Sequence, residues 1–194
     1  MPKKFDFLVN GGGLVGCLTS LILSKKNYSV CLIEKNNFKK TLSSSYVPLS
    51  LSINSMEFLR ESKAWDSDII KANPINELNI KLFNSFNTLK LSSSDIGGRL
   101  LGSVVDKSCL LSYLRGLCYK DKNISIIDKD IVSFEDLTSP FKPKFSHNKC
   151  DVTADNLILT DGVNSEFSEK LKIRKSKINY NQTSFMFNAN CDSV

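Results

Sequence analysis

Residues 5–16, Phe-Asp-Phe-Leu-Val-Asn-Gly-Gly-Gly-Leu-Val-Gly, constrain the fold more than any other stretch of this 194-residue chain. An apolar strand runs into Gly11-x-Gly13-x-x-Gly16, and the residues after it open a helix. About 20 residues further on, a second apolar strand, Ser29-Val30-Cys31-Leu32-Ile33, ends in Glu34. Strand, glycine turn, helix, strand and terminal acid in that order are the dinucleotide-binding pattern of a parallel α/β sheet.

Each position has a physical reason. Gly11 permits the tight turn, Gly13 lets the backbone approach a pyrophosphate, and Gly16 lets helix and strand pack closely. The N–H groups of Leu14 and Val15 at the helix start face an anion, which the helix dipole favours. Glu34 can accept hydrogen bonds from a ribose 2′-hydroxyl and would repel a 2′-phosphate. NAD or the ADP half of FAD is therefore expected rather than NADP.

Composition narrows the remaining classes. With 41% apolar and 24% charged residues the chain reads as an ordinary soluble globular protein of one domain or little more. The net charge of +6 comes from scattered lysines such as Lys3-Lys4, Lys25-Lys26 and Lys39-Lys40. No basic stripe with interleaved aromatics is present, so nucleic acid is not an expected partner. Weak attraction to an anionic membrane surface stays compatible with that charge.

Cysteines at 17, 31, 109, 118, 150 and 191 form no C-x-x-C pair and have no histidines at metal spacing. They read as reduced and structural, in a reducing compartment. His147, the lone histidine, sits in the polar Ser146-His147-Asn148-Lys149 stretch and reads as a solvated turn residue. No segment reaches the about 18 apolar residues that a bilayer crossing needs. Met1-Pro2-Lys3-Lys4 runs straight into the first strand and leaves no room for a signal peptide, so a cytoplasmic protein is expected.

Periodicity supplies the rest of the element order. Residues 35–45 read as a loop, 52–60 and 65–72 as short helices, and Asn73-Pro74 as a break. Residues 79–83 and 88–91 alternate like antiparallel strands, 103–105 is briefly extended, and 107–119 is an amphipathic helix. Ile124–Ile127 and Ile131–Phe134 read as a strand pair, followed by extended pieces at 141–145 and 150–152. An apolar strand, 157–160, ends in Asp161-Gly162, then come a helix over 165–171 and a strand over 183–188. The expected fold is thus α/β: a Rossmann-like parallel sheet interrupted by strands of an inserted sheet. Its expected parts are 1–75 and 101–175 for the nucleotide domain, 76–100 for inserted strands, and 176–194 for the start of a further sheet.

That layout resembles the FAD-dependent aromatic-ring monooxygenases of the para-hydroxybenzoate hydroxylase fold, and within them the UbiH/VisC hydroxylases of ubiquinone biosynthesis. Asp6–Gly16 is similar to the family's opening D-hhhV-GGG-hVG. Leu51–Ser55 with Phe58-Leu59 and Ala64-Trp65 resembles its "ALS-x-x-S, LL, G-x-W" stretch. Gly102–Lys107 followed by Leu110 and Leu114 resembles "G-x-V-V-E-N, L". Leu157–Ser165 is similar to the second flavin motif, "A-D-G-x-x-S", and Tyr180-Asn181-Gln182 to a "Y-x-Q".

The resemblance implies that Gly11, Gly12, Gly13, Leu14, Val15, Gly16, Glu34 and Lys35 hold the ADP half of FAD. It places Lys107 against the flavin nucleotide and Asp161-Gly162 between FAD and the NAD(P)H path. It further implies hydroxylation of the aromatic ring of a polyprenyl phenol, NAD(P)H as reductant, and membership of a quinone-biosynthesis complex, peripheral at the inner membrane. Three positions depart from the family pattern: Asn10 replaces an apolar residue, and Val47 and Ser168 replace arginines. The third flavin motif, a Gly-Asp pair, lies beyond residue 194 in relatives, so an N-terminal portion is expected. Two other readings share these motifs: an FAD enzyme of reductase or halogenase type, and a non-catalytic binding module in quinone biosynthesis.

Overall fold

The computed structural model describes residues 3–36, 38, 46–81, 88–129, 131–135, 138–145, 152–163, 165–176 and 178–183. Strand β1 (Lys3–Asn10) leads through the glycine turn into helix α1 (Leu14–Lys25) and strand β2 (Val30–Glu34). Next come β3 (Pro48–Ser52), α2 (Ile53–Glu61), β4 (Ala72–Ile75), β5 (Glu77–Lys81) and β6 (Thr88–Ser92). Strand β7 (Gly102–Asp106), α3 (Lys107–Lys120), β8 (Ile124–Asp128), β9 (Ile131–Phe134) and β10 (Pro143–Phe145) follow. The last elements are β11 (Val152–Leu159) and α4 (Glu166–Lys170).

The central sheet is parallel with strand order β11-β1-β2-β8. Strand β1 lies in its middle, with Asn10 opposite Leu159 on one side and Ile33 on the other. All five residues of β2 are buried, as expected of a parallel strand covered on both faces. One face packs Val9, Val30 and Leu32 against Cys17 and Leu21 of α1 and Leu114 and Cys118 of α3. The other packs Leu8, Cys31 and Ile33 against Phe134 and Phe167. Phe134 meets the Phe167 ring edge-on with centroids 5.1 Å apart, a favourable quadrupole arrangement. The expected return of the Asp-Gly strand to the parallel sheet is therefore realised, as β11 beside β1.

Three sequence expectations change. Ile124–Ile127 and Ile131–Phe134 do not pair with each other. Strand β8 pairs in parallel with β2, and β9 pairs antiparallel with β10. Period-two alternation marks a strand but cannot name its partner; here α3 returns the chain to the parallel sheet before β8 begins. Residues 65–72 are no helix. Asp66 instead organises a turn, its side chain accepting the Asp68 N–H at 2.9 Å and its carbonyl the Ile70 N–H at 2.8 Å. Asn73-Pro74 does not break the chain but lies within β4, an edge strand beside β7, where a missing proline N–H is tolerated.

Strand β3, which the pattern did not suggest, ends in Ser52, whose hydroxyl accepts the Ser55 N–H and caps α2. Strands β5 and β6 form the expected antiparallel pair as a separate two-stranded sheet. His147, Cys150, Cys191 and residues 184–188 of the expected last strand lie outside the described residues.

Cys17, Cys31, Cys109 and Cys118 are in no disulfide. Cys118 on α3 packs against α1, its thiol 3.5 Å from the Cys17 carbonyl oxygen. A hydrogen bond with the Cys17 side chain, reinforced by burial, holds the Cys118 thiol well above the ordinary thiol range. Since the thiolate is the reactive form, alkylation of the folded chain should label half-buried Cys109 well before Cys17, Cys31 or Cys118. Peptide mapping after a short iodoacetamide pulse reads this directly; early labelling of Cys118 would contradict the packing of α1 on α3.

Candidate functional site

The glycine turn is stapled between the ends of β2 and β11. The Gly11 N–H donates to the Ile33 carbonyl at 2.8 Å, and the Thr160 N–H donates to the Asn10 carbonyl at 2.8 Å. The Thr160 hydroxyl lies 3.0 Å from both the Asn10 and Gly11 carbonyl oxygens and shares its proton between them. Gly11 adopts φ of +114°, a conformation that strains any residue with a Cβ, and a Cβ there would lie 2.6 Å from the Thr160 carbonyl oxygen. A Cβ on Gly16 would sit 1.8 Å from the Gly11 carbonyl oxygen. Gly16 is therefore what lets α1 close onto the turn itself.

Gly13 is different. A Cβ there meets nothing within 4 Å, and its φ of −77° suits any residue. As the N-cap of α1 it offers no side-chain acceptor, so no side chain caps the helix start. Open space and uncapped N–H groups at one helix N-terminus are what an anionic group needs.

Glu34 stands at the far side of the turn. Its Oε2 accepts the Gly12 N–H at 2.7 Å, and its Oε1 accepts the Asn36 backbone N–H at 3.0 Å and side-chain amide at 3.2 Å. A ribose hydroxyl can reach Oε1 by displacing the Asn36 side chain, which is the movable one of these donors.

No local pattern points to the residue that holds this arrangement. Arg115, from α3, reaches Glu34 Oε2 with Nη2 at 3.8 Å, and both side chains are only about one-tenth exposed (12% and 11%). Its Nε donates to the Gly12 carbonyl at 3.1 Å and its Nη1 to the Phe38 carbonyl at 3.3 Å. The guanidinium also lies over the Phe38 ring, 4.8 Å from its centroid. Its trace in the sequence is an arginine next to Leu114, on the buried side of an amphipathic helix far along the chain from the glycine turn.

A polar cleft of about 370 Å³ brings together Gly11, Gly13, Glu34, Lys35, Asp161 and Gly162, from three separate stretches of the sequence. Asn10, Asn36, Thr160 and Ile131 also line it, none of them expected there. Gly162 takes φ of +93°, which explains a glycine after Asp161. Other expected positions lie elsewhere. The side chains of Leu14 and Val15 line a second cleft of about 450 Å³, walled by apolar residues including Leu49, Leu51, Phe58 and Leu110. Lys107 is the exposed first residue of α3, its backbone N–H bonded to the Val47 carbonyl, and it lines neither cleft. Ser168, where the resemblance puts an arginine, is buried in the α4 cap, with its hydroxyl donating to the Ser165 carbonyl at 2.7 Å.

No protein-family model matches the chain, and no curated protein matches its sequence. Solved structures do match its fold. p-Nitrophenol 4-monooxygenase PnpA from Pseudomonas putida superposes with a TM-score of 0.70 at 18% identity, over 87% of this chain and 44% of that one. A geranylgeranyl bacteriochlorophyll reductase-like protein from Thermoplasma acidophilum gives 0.64 at 21% identity, over 89% and 43%. PqsL, described as a probable FAD-dependent monooxygenase from Pseudomonas aeruginosa, gives 0.67 at 11% identity, over 92% and 48%. The chain thus spans less than half the length of each. Its fold is the Rossmann-like α/β fold with accompanying antiparallel strands found in FAD-dependent monooxygenases.

Proposed function

We propose that this chain supplies the ADP-binding part of an FAD-dependent monooxygenase that hydroxylates an aromatic ring, with a polyprenyl phenol precursor of ubiquinone as substrate and NAD(P)H as reductant. The observation that carries the reading is the single cleft joining the glycine turn, Glu34 and Asp161-Gly162. The residues present fit an ADP moiety. The space beside Gly13 receives a pyrophosphate at the uncapped start of α1, Glu34 receives the ribose, and Lys35 adds a positive charge at the rim. When bound, the flavin supplies electron transfer and oxygen activation. This chain's residues bind it and orient it.

In this reading residues 1–75 and 101–175 form the FAD-binding region, and 76–100 and 176–194 belong to a substrate-facing sheet. Lys107, which lines neither cleft, meets a part of the cofactor that extends past the start of α3 in this reading. The protein works in the cytoplasm, in contact with a quinone-biosynthesis assembly at the membrane surface, to which its net positive charge is suited. A second reading, an FAD-dependent reductase, is favoured by the likeness to the geranylgeranyl reductase-like fold. NAD(P)H-dependent oxygen uptake with a phenol, against reduction of an isoprenoid double bond, separates the two.

Gly13→Val tests the site without dismantling the fold. The added Cβ meets no protein atom within 4 Å, so the cost is that of a poor N-cap, on the order of 1 kcal/mol and about 2–4 °C in Tm. The valine methyls occupy the pyrophosphate space, and FAD and ADP binding should be lost. A Gly13→Val chain that binds FAD as the parent does, or a parent that binds neither FAD nor ADP, removes the cofactor assignment.

A further inference from the structure

Asn10 occupies a position where the sheet calls for an apolar side chain. It closes β1 in the middle of the parallel sheet, on the same face as Leu8, which is fully buried. Asparagine is among the poorer strand formers, and Asn10 is only 9% exposed. Its backbone carbonyl is well used, by the Thr160 N–H and hydroxyl. Its carboxamide makes no hydrogen bond to a protein group among the described residues and opens onto the polar cleft, so its polar atoms are not sealed from solvent. The stem of the side chain is buried, and its amide is left free for a ligand that enters the cleft.

Glu34 and Thr160, two other polar side chains of the cleft, are spent on the protein. The Glu34 oxygens take Gly12 and Asn36, and the Thr160 hydroxyl faces two carbonyls. Asn10 alone of these brings an unused donor and an unused acceptor together.

We propose that Asn10 is a ligand-contacting residue that hydrogen-bonds the adenosine moiety of the bound nucleotide. This rests on the nucleotide reading of the cleft given above. The adenosine is favoured over the phosphates because the lining carries two carboxylates, Glu34 and Asp161, against the one cation Lys35. That balance suits a neutral partner beside Asn10 and leaves the anion to the helix start at Gly13. Hydroxyls and the adenine edge each present donors and acceptors that a carboxamide can match. A site built around such a group discriminates strongly against a ligand lacking the partner.

The test uses the full chain, ADP as probe, and two variants, Asn10→Val and Asn10→Ala. Calorimetric titration of ADP should show roughly tenfold weaker binding in both, as expected for one lost hydrogen bond in a shielded site. Thermal melting without ligand should move the other way for Asn10→Val, to a higher Tm, because valine suits this central strand position better than asparagine. A purely structural role cannot give these opposite signs. Unchanged ADP affinity in a parent that does bind ADP overturns the role of Asn10 and leaves the nucleotide site standing. Absence of ADP binding by the parent overturns the site and this proposal with it. Should Asn10→Val not fold, Asn10→Ala carries the affinity comparison.

Discussion

Gly16→Ala is expected to cost about 3 kcal/mol or more, a Tm loss of roughly 6–12 °C for a chain of this size, and to abolish the proposed nucleotide binding. The new Cβ would lie 1.8 Å from the Gly11 carbonyl oxygen and 2.7 Å from the Thr160 hydroxyl oxygen. The first is a backbone atom whose own residue is anchored to β2 by the Gly11 N–H bond to the Ile33 carbonyl. Neither side can yield by rotating a side chain. The strain is relieved only if α1 lifts from the turn, which opens the contact of Cys17 and Leu21 with Val9 and Val30. Lifting also moves the helix N-terminus away from the space at Gly13. Gly13→Ala is the matched control, since its Cβ enters open space. Denaturant unfolding of the two variants side by side reads the difference. A Gly16→Ala chain within about 1 kcal/mol of the parent would mean the turn is looser than this packing requires.

The second large effect concerns Arg115. Arg115→Met keeps the length and the apolar stem but removes the guanidinium from three partners at once: the Gly12 carbonyl, the Phe38 carbonyl and Glu34. Breaking one side of a shielded ion pair leaves the other charge uncompensated, at a cost of roughly 3–5 kcal/mol. The 3.8 Å separation and the three hydrogen bonds that Glu34 retains place this case toward the lower end. Arg115→Lys keeps the charge but not the fork that spans two carbonyls, so it should recover only part of the loss.

Coupling is the decisive measurement. If Arg115 and Glu34 act as one unit, the double variant Arg115→Met, Glu34→Gln is less destabilised than the sum of the singles. Additivity within about 0.5 kcal/mol would show that the two side chains are merely neighbours.

The local grammar of this chain was readable because it is written in short range. A strand, a glycine spacing, a helix and an acid within residues 5–34 specify a βαβ unit by sterics and periodicity. Neither Gly11 at positive φ nor Gly16 against a carbonyl tolerates a substitute. The return of residues 152–159 to the parallel sheet was legible for the same reason, an apolar strand ending in Asp-Gly. Local pattern stopped being enough where partners are distant. Ile124–Ile127 alternates as well for a hairpin as for a parallel strand, and only the crossover through α3 chooses between them. Asn73-Pro74 looks like a break until an edge position makes a proline harmless.

A glycine turn between strand and helix, and the residues that make it, follow from local sequence, because those constraints are set by backbone sterics within a few residues. What surrounds that turn follows from long-range packing. It brought Arg115 from α3 to the Gly12 carbonyl and Asp161-Gly162 to the mouth of the same cleft. It sent Leu14 and Val15 to an apolar cleft of their own and left Lys107 outside both. It also turned Asn10, an oddity in a strand, into a carboxamide facing the cleft. Such juxtapositions depend on how helices and strands distant in sequence pack on one sheet, and no local pattern encodes that geometry.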